Sequence, residues 1–535
     1  MLARIVENWL TSVGEIGYQA AFAQLLASEG YRVLHNPVHH PFEHGKDVTA
    51  IAPEGGLHCF QLKGGDVGLG DLEKIQGQLF ALAGTAVSYP GIDPPRPPDR
   101  VFLVTNGRLS PPARDRLGSF NDANRARGFP AIEAIERDQL VGRLVAAHGS
   151  YLPTELRDLN ELLRLVLADG QSRFQIREFA QMLQSVFPAS DVALSSLEAR
   201  RVLASATILT SYTTGPCQKS ENHLAVAEGW LILAFAILRM AEVRDLAEEA
   251  WLPSFELARD SARRELAALV TEATTAKDLV IPDVVEGLIY PARAALVCGY
   301  SAAFYISERE FGDAARMTDA VKALLMREMD YLQTPGEAGV PLLLMIATAL
   351  EVLGKPTEAA KIVAQWAQAL TITNHPESKN AAPDPYHSLE QVLLHSMGSE
   401  GSFEDEQFAG EAYTLHVALE WLIRRDVRTI VEKLWPGVTL LHFAEFKPSI
   451  AANILASDDP DGEHSSWAPA APASWAKLRE EAKTIKESDL PSRLWQHLYL
   501  LPYLPLVYPY RLTADLAKAL DYMATGRCDV LLSDS

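Results

Sequence analysis

D-V-T-A-I-A-P-E-G-G-L-H-C-F-Q-L-K, residues Asp47 to Lys63, reads as two strands and a turn. Val48 to Ala52 is short, apolar and suited to a strand. Pro53, Glu54, Gly55 and Gly56 form a turn signal. Leu57 to Lys63 then makes a second strand. Side chains alternate along a strand, so Gln61 and Lys63 share one direction and Phe60 and Leu62 the other. A hairpin brings Asp47, at the start of the first strand, to Gln61 and Lys63, at the end of the second. A carboxylate, an amide and an amine then meet at one end of a sheet. Carboxylate and carbonyl oxygens suit a hard cation such as Mg²⁺. A lysine beside such an ion can orient an attacking water or help to deprotonate it. Taken alone, the same three residues also fit a solvated hairpin edge.

Asp47 followed by Gln61-x-Lys63 resembles the PD-(D/E)xK nuclease superfamily and, within it, the Mrr-like restriction endonucleases, in which Gln often replaces the last motif's acid. Three flanking pieces carry the resemblance further. G-Y-Q-A-A-F-A-Q-L-L-A-S-E-G-Y-R-V (Gly17 to Val33) is similar to the family's opening helix and first strand. V-F-L-V-T-N-G (Val101 to Gly107), followed by R-L-S-P-P-A-R, is similar to a later core strand. A-I-E-A-I-E-R-D-Q-L-V-G-R-L (Ala131 to Leu144) is similar to the closing strand and helix. The resemblance covers residues 1–150, a normal size for one domain.

The resemblance implies an α/β restriction-endonuclease-like domain, a mixed sheet flanked by helices. It implies a Mg²⁺-dependent deoxyribonuclease, with Mn²⁺ as the other candidate ion, acting on double-stranded DNA. Asp47, Gln61 and Lys63 are the expected catalytic residues, with Asp47 and the Leu62 carbonyl as metal ligands. The family's opening helix also supplies an acid, and Gln19 stands where it is expected. Glu15 lies one helical turn before Gln19 on the same face and can supply the missing charge. Its other reading is an acid that favours the helix N-terminus through the dipole.

From Tyr151 onward helical periods dominate. Leu156–Leu167, Phe174–Phe187, Leu197–Thr210 and Leu224–Met240 all read as helices. Ser307–Leu325 and Leu350–Ala367 each show a helix, a break at Gly312 or Gly354, and a second helix opening with paired Ala. That is the pattern of stacked helical hairpins, tetratricopeptide-like in part. Residues 151–535 are therefore expected to form an all-α, helical-repeat-like region that senses a trigger or binds a partner. Asn374–Glu406 and Ser457–Ser474 read as long loops. Leu498–Tyr510, rich in aromatics and proline, is expected to pack in a core or a dimer contact rather than to form a helix.

The formal charge of −21 is unevenly spread. Residues 1–150 hold 3 Lys and 11 Arg against 8 Asp and 8 Glu, a net −2, which leaves −19 for the remainder. The acidic part suits a protein partner or a second copy of the chain better than DNA. Within residues 1–150, Lys46, Arg108 and Arg114 are the expected phosphate contacts, with Arg116, Arg125 and Arg127 extending a basic patch. A solvated helix face is the plainer account of that patch. His40 and His44 lie near the site, and polar loop residues describe them better than metal ligands do.

No Walker loop and no G-x-S-x-G elbow occurs. Cys59, Cys217, Cys298 and Cys528 are scattered, without a CxxC pair, so neither a zinc site nor a disulfide framework is suggested. No signal-peptide pattern opens the chain, and Gly229–Leu238 is too short to span a bilayer, so a cytoplasmic protein with no membrane role is expected. A bacterial chain of this build resembles an effector of restriction or anti-phage defence. The competing expectation is a non-catalytic helical scaffold whose N-terminal domain merely binds nucleic acid.

Overall fold

A computed structural model describes residues 2–35, 46–89, 92–148, 164–166, 168–188, 192–277, 279, 286–312, 314–332, 336–378, 381–396, 409–457, 463–469 and 474–531. His40 and His44 lie outside them, as does most of Leu156–Leu167. The chain forms two compact units, Met1–Ala262 and Arg263–Ser535. The α/β elements end near residue 148, whereas the first unit continues to Ala262 through further helical chain.

The first unit opens with α1 (Leu2–Ser12) and α2 (Glu15–Ser28), which Gly14 separates. Next come β1 (Arg32–His35), β2 (Val48–Ile51) and β3 (Leu57–Lys63). α3 (Leu69–Lys74) and α4 (Gln76–Gly84) follow. β4 (Val87–Tyr89) and β5 (Ile92–Arg96) form a two-stranded antiparallel ribbon. β6 (Arg100–Thr105), α5 (Pro111–Ala126), β7 (Ile132–Ile135) and α6 (Arg137–His148) complete the α/β part. Helices α7 (Ile176–Val186), α8 (Ser196–Lys219), α9 (His223–Val243) and α10 (Glu248–Thr275) follow.

The five-stranded sheet runs β1-β2-β3-β6-β7. β1, β2 and β3 pair antiparallel, while β3, β6 and β7 pair parallel, so the sheet is mixed. The expected hairpin is present, with Val48 opposite Phe60 and Ile51 opposite Leu57. Alternation sorts the core. Phe60, Leu62, Phe102 and Val104 join α1, α2 and α6 on one face. Leu57, Cys59, Val101 and Leu103 join α3, α4 and α5 on the other. α9 is long and apolar enough to cross a membrane, and 83% of that apolar stretch is buried.

In the second unit, α11 (Glu286–Phe311) and α12 (Thr318–Glu328) flank Gly312; α13 (Val340–Val352) and α14 (Pro356–Thr373) flank Gly354. Both glycines sit at φ +78°, a turn that residues with a Cβ rarely adopt. The unit is mainly helical, but the expectation of an all-α region is corrected. Past α15 (Leu389–Ser396), itself inside the stretch expected as a loop, β8 (Glu411–Ala412) pairs with β9 (His442–Lys447), and β9 with β10 (Glu463–Trp467). Phe443 and Phe446 of β9 are buried.

Between these strands lie α16 (Leu415–Arg424) and α17 (Arg428–Val438). α18 (Trp475–Lys483) and β11 (Thr484–Lys486) come next. Leu498–Tyr510 is largely buried, but short 3₁₀ and α-helical turns build it, which corrects the expectation that it would not be helical. These turns end at α21 (Ala514–Thr525), counted after α19 (Ser492–Gln496) and α20 (Leu504–Val507). β12 (Asp529–Leu531) pairs parallel with β11.

Asp521 of α21 accepts from Arg424 Nε at 2.5 Å and from Arg425 Nη2 at 2.5 Å, and all three are buried or nearly so. Burial alone would raise the Asp521 carboxyl; the two guanidinium groups override it and hold the pKa at about 2. Asp521→Asn should therefore destabilise the protein by about 3–5 kcal/mol, read as a lower unfolding midpoint, because among the described residues it leaves the buried Arg424 with only the looser Glu420 ion pair at 3.6 Å.

His58 of β3 is buried between the rings of Tyr31 and Phe102. Burial lowers its pKa, and Arg100 lowers it further. The folded state thus keeps His58 neutral where the unfolded chain takes a proton, so stability falls as pH drops below about 6.5. His58→Phe should flatten that part of the pH profile, measured as denaturant midpoints between about pH 8 and about pH 5.5.

Candidate active site

Asp47 directly precedes β2, and its amide donates to the Phe60 carbonyl at 2.9 Å, which extends the hairpin ladder by one step. This places the Asp47 carboxylate beside the end of β3. Its Oδ2 accepts from the Leu62 amide at 2.6 Å and from Gln61 Nε2 at 2.5 Å. Gln61 is 2% exposed, and its Oε1 is buried without a hydrogen-bond partner. Gln61 Nε2 also lies 3.4 Å from the Leu62 carbonyl.

Lys63 ends β3, and its Nζ lies 3.2 Å from Glu15 Oε2, both side chains being partly exposed. Glu15 is the first residue of α2, so it occupies the dipole-favoured position and meets Lys63 as well. One turn on, Gln19 is buried and donates from Nε2 to the Asp47 main-chain carbonyl at 3.3 Å. Asp47, Gln61, Lys63, Glu15 and Gln19 therefore share one end of the sheet.

Tyr18, which the sequence reading does not single out, joins them. Its hydroxyl lies 2.9 Å from the Lys63 carbonyl and 3.2 Å from the Val104 carbonyl, and it accepts from the Lys63 amide at 3.2 Å. Burial pushes the phenol well above its ordinary pKa, so the proton stays in place. The i, i+3, i+4 spacing of Glu15, Tyr18 and Gln19 is the signal that puts all three on one helix face.

The expected phosphate contacts are placed differently. Lys46 is buried, and its Nζ donates to the Ala81 carbonyl in the last turn of α4 at 3.3 Å, where a cation suits the helix C-terminus. Burial lowers its pKa. Arg108 pairs with Asp138 at 3.1 Å and Arg114 with Glu136 at 2.8 Å. Arg125 pairs with Asp122, and Arg127 lies over the Phe80 ring. The arginines after β6 are thus largely matched with acids rather than gathered into a basic patch.

The donor set suits a hard cation in kind: carboxylates of Asp47 and Glu15, the Gln61 amide oxygen and the Leu62 carbonyl. Gln61 Oε1 is the acceptor of this set that no described residue already uses. The set is lean, since among the described residues no three or more His, Cys, Asp or Glu gather at one point.

The loop after Lys63 is held close. A Cβ on Gly64 would lie 2.9 Å from the Glu15 amide nitrogen, a contact with backbone that cannot swing away. Gly64→Ala should cost about 1–3 kcal/mol of stability and push Lys63 away from Glu15. The unfolding midpoint tests the first part, and a crystal structure of the variant the second. No family model, curated protein or solved structure matches the chain.

Proposed function

We propose that the first unit carries a metal-dependent endonuclease of the PD-(D/E)xK, Mrr-like kind, which hydrolyses phosphodiester bonds in double-stranded DNA. The observation behind this reading is the meeting of Asp47, Gln61, Lys63 and Glu15 at the end of β3. The order of helix, hairpin, parallel strand and closing strand-helix supports it too. Asp47, Glu15 and the Gln61 and Leu62 oxygens would hold Mg²⁺ or Mn²⁺. The bound ion supplies Lewis-acid stabilisation and a more acidic water.

Lys63 contributes a fixed positive charge beside the phosphate as negative charge develops on it. Asp47 also accepts the Leu62 amide, which fixes the carboxylate without a flexible side-chain partner. Gln61 presents nitrogen to Asp47, and the oxygen suited to an ion is the one without a partner. The acidic second region serves as sensor or partner-binding part, and the assembly acts in restriction or anti-phage defence. The scaffold reading draws on the matched arginines, Arg108 with Asp138 and Arg114 with Glu136.

Plasmid cleavage with Mg²⁺, and with EDTA as control, separates the two readings. Asp47→Ala and Lys63→Ala should each abolish cleavage while the protein stays folded. Either variant cutting at the wild-type rate would remove the assigned site. Glu15→Gln should raise the Mg²⁺ concentration for half-maximal cleavage, and Gln19→Ala should change it less. An unchanged metal requirement in Glu15→Gln would leave Glu15 as a partner of Lys63 only.

A further inference from the structure

We infer that Tyr18 is a positioning residue that sets where the Lys63 ammonium stands. For its effect on turnover the inference rests on the nuclease reading; for its effect on Lys63 it does not. Three contacts carry it. The Tyr18 hydroxyl lies within hydrogen-bonding distance of the amide and the carbonyl of the same residue, Lys63, and of the Val104 carbonyl on the neighbouring strand. Lys63 pairs with Thr105 at the last step of the parallel ladder between β3 and β6. A strand end is where a backbone is free to splay, and this one is held from the side by a helix.

The hydroxyl is also poorly suited to a generic core role. Tyr18 is 1% exposed and sits among Phe22, Leu25, Phe60 and Val104, where a phenylalanine would bury the same ring without a polar atom. A buried hydroxyl needs partners, and here the Lys63 carbonyl and amide and the Val104 carbonyl, at the ends of β3 and β6, supply them. The same helix face holds the other ends of the site. Glu15 meets the Lys63 ammonium and Gln19 meets the Asp47 carbonyl. Tyr18 thus fixes the main chain of Lys63 while Glu15, three residues earlier, fixes its tip. Both ends of Lys63 are thus held by one helix, which also meets the Asp47 main chain.

Tyr18→Phe keeps the ring and removes the contacts. Hydrogen exchange followed by mass spectrometry should show faster exchange in residues 61–65, with the rest of residues 1–262 unchanged. In a chain that cleaves plasmid, kcat should fall about 10- to 100-fold, with KM and half-saturating Mg²⁺ unchanged, as a misplaced catalytic group produces. If the wild-type chain does not cleave, the nuclease reading fails and the exchange data alone decide the role of Tyr18. Unchanged exchange at residues 61–65 would overturn the inference. So would faster exchange throughout the unit or outright unfolding, which would make the hydroxyl a general core requirement. An unchanged kcat in an active chain would also overturn it.

Discussion

The Leu62 amide donates to the Asp47 carboxylate at 2.6 Å, and the geometry of the site hangs on that bond. A hydrogen bond to a charged acceptor is worth about 1.5–3 kcal/mol, more than an ordinary backbone bond. It also fixes direction. Asp47 precedes β2 and Leu62 nearly ends β3, so the bond fixes the register of the hairpin at its open end. A slip of one residue would turn Gln61 and Lys63 to the opposite face and bury them against α1 and α2. Phe60 and Leu62 occupy that face now, and their burial opposes the slip just as strongly. Polar and apolar constraints therefore select one register.

Charge in the first unit is arranged by pairs. Lys63 with Glu15, Arg108 with Asp138, Arg114 with Glu136, Arg100 with Glu133 and Arg143 with Glu29 each join elements distant in sequence. The exposed ones, Arg108 with Asp138 and Arg100 with Glu133, add little to stability. Their consequence lies elsewhere: they lower the positive potential available to a phosphate backbone. A duplex would have to compete with these carboxylates for each of these arginines.

How much of this was legible depended on the range of the contact. The hairpin was readable because Pro53-Glu54-Gly55-Gly56 marks the turn and the flanking residues alternate. The Gly312 and Gly354 turns were readable for the same reason, a local backbone demand. Glu15 could be placed near the site because helical spacing from Gln19 is local as well. Tyr18 was not legible, since its hydroxyl matters only through strand ends 45 and 86 residues away. Lys46 misled because its neighbour Asp47 faces the site while Lys46 turns beneath α4. In Ile92–Arg96 two adjacent prolines argue against a strand, yet the two-stranded ribbon tolerates them because both of its strands are edges. In His442–Lys447 a six-residue strand was overlooked among helices, though Phe443 and Phe446 were its apolar signal.

The α/β part does not end where its last strand and helix do, and α2 explains why. One face of α2 meets the site. Its remaining surface is nearly all apolar or small, Ala20, Ala21, Ala23, Leu25 and Leu26 being buried, so a second layer must cover it. α8 does so. Trp9 of α1 donates from Nε1 to the Ser211 carbonyl at 2.9 Å and packs its ring on Tyr212 at 4.4 Å. Ser254 of α10 donates to Gln24 Oε1 at 3.0 Å, a buried pair that fixes α2 along its axis. A helix that carries Glu15, Tyr18 and Gln19 is thus clamped between a sheet and a helical layer, and the layer belongs to the site's support as much as the sheet does. Removing residues beyond 150 would expose the buried side of α2 to water. The helix positioning Lys63 and Asp47 would then lose the packing that holds it.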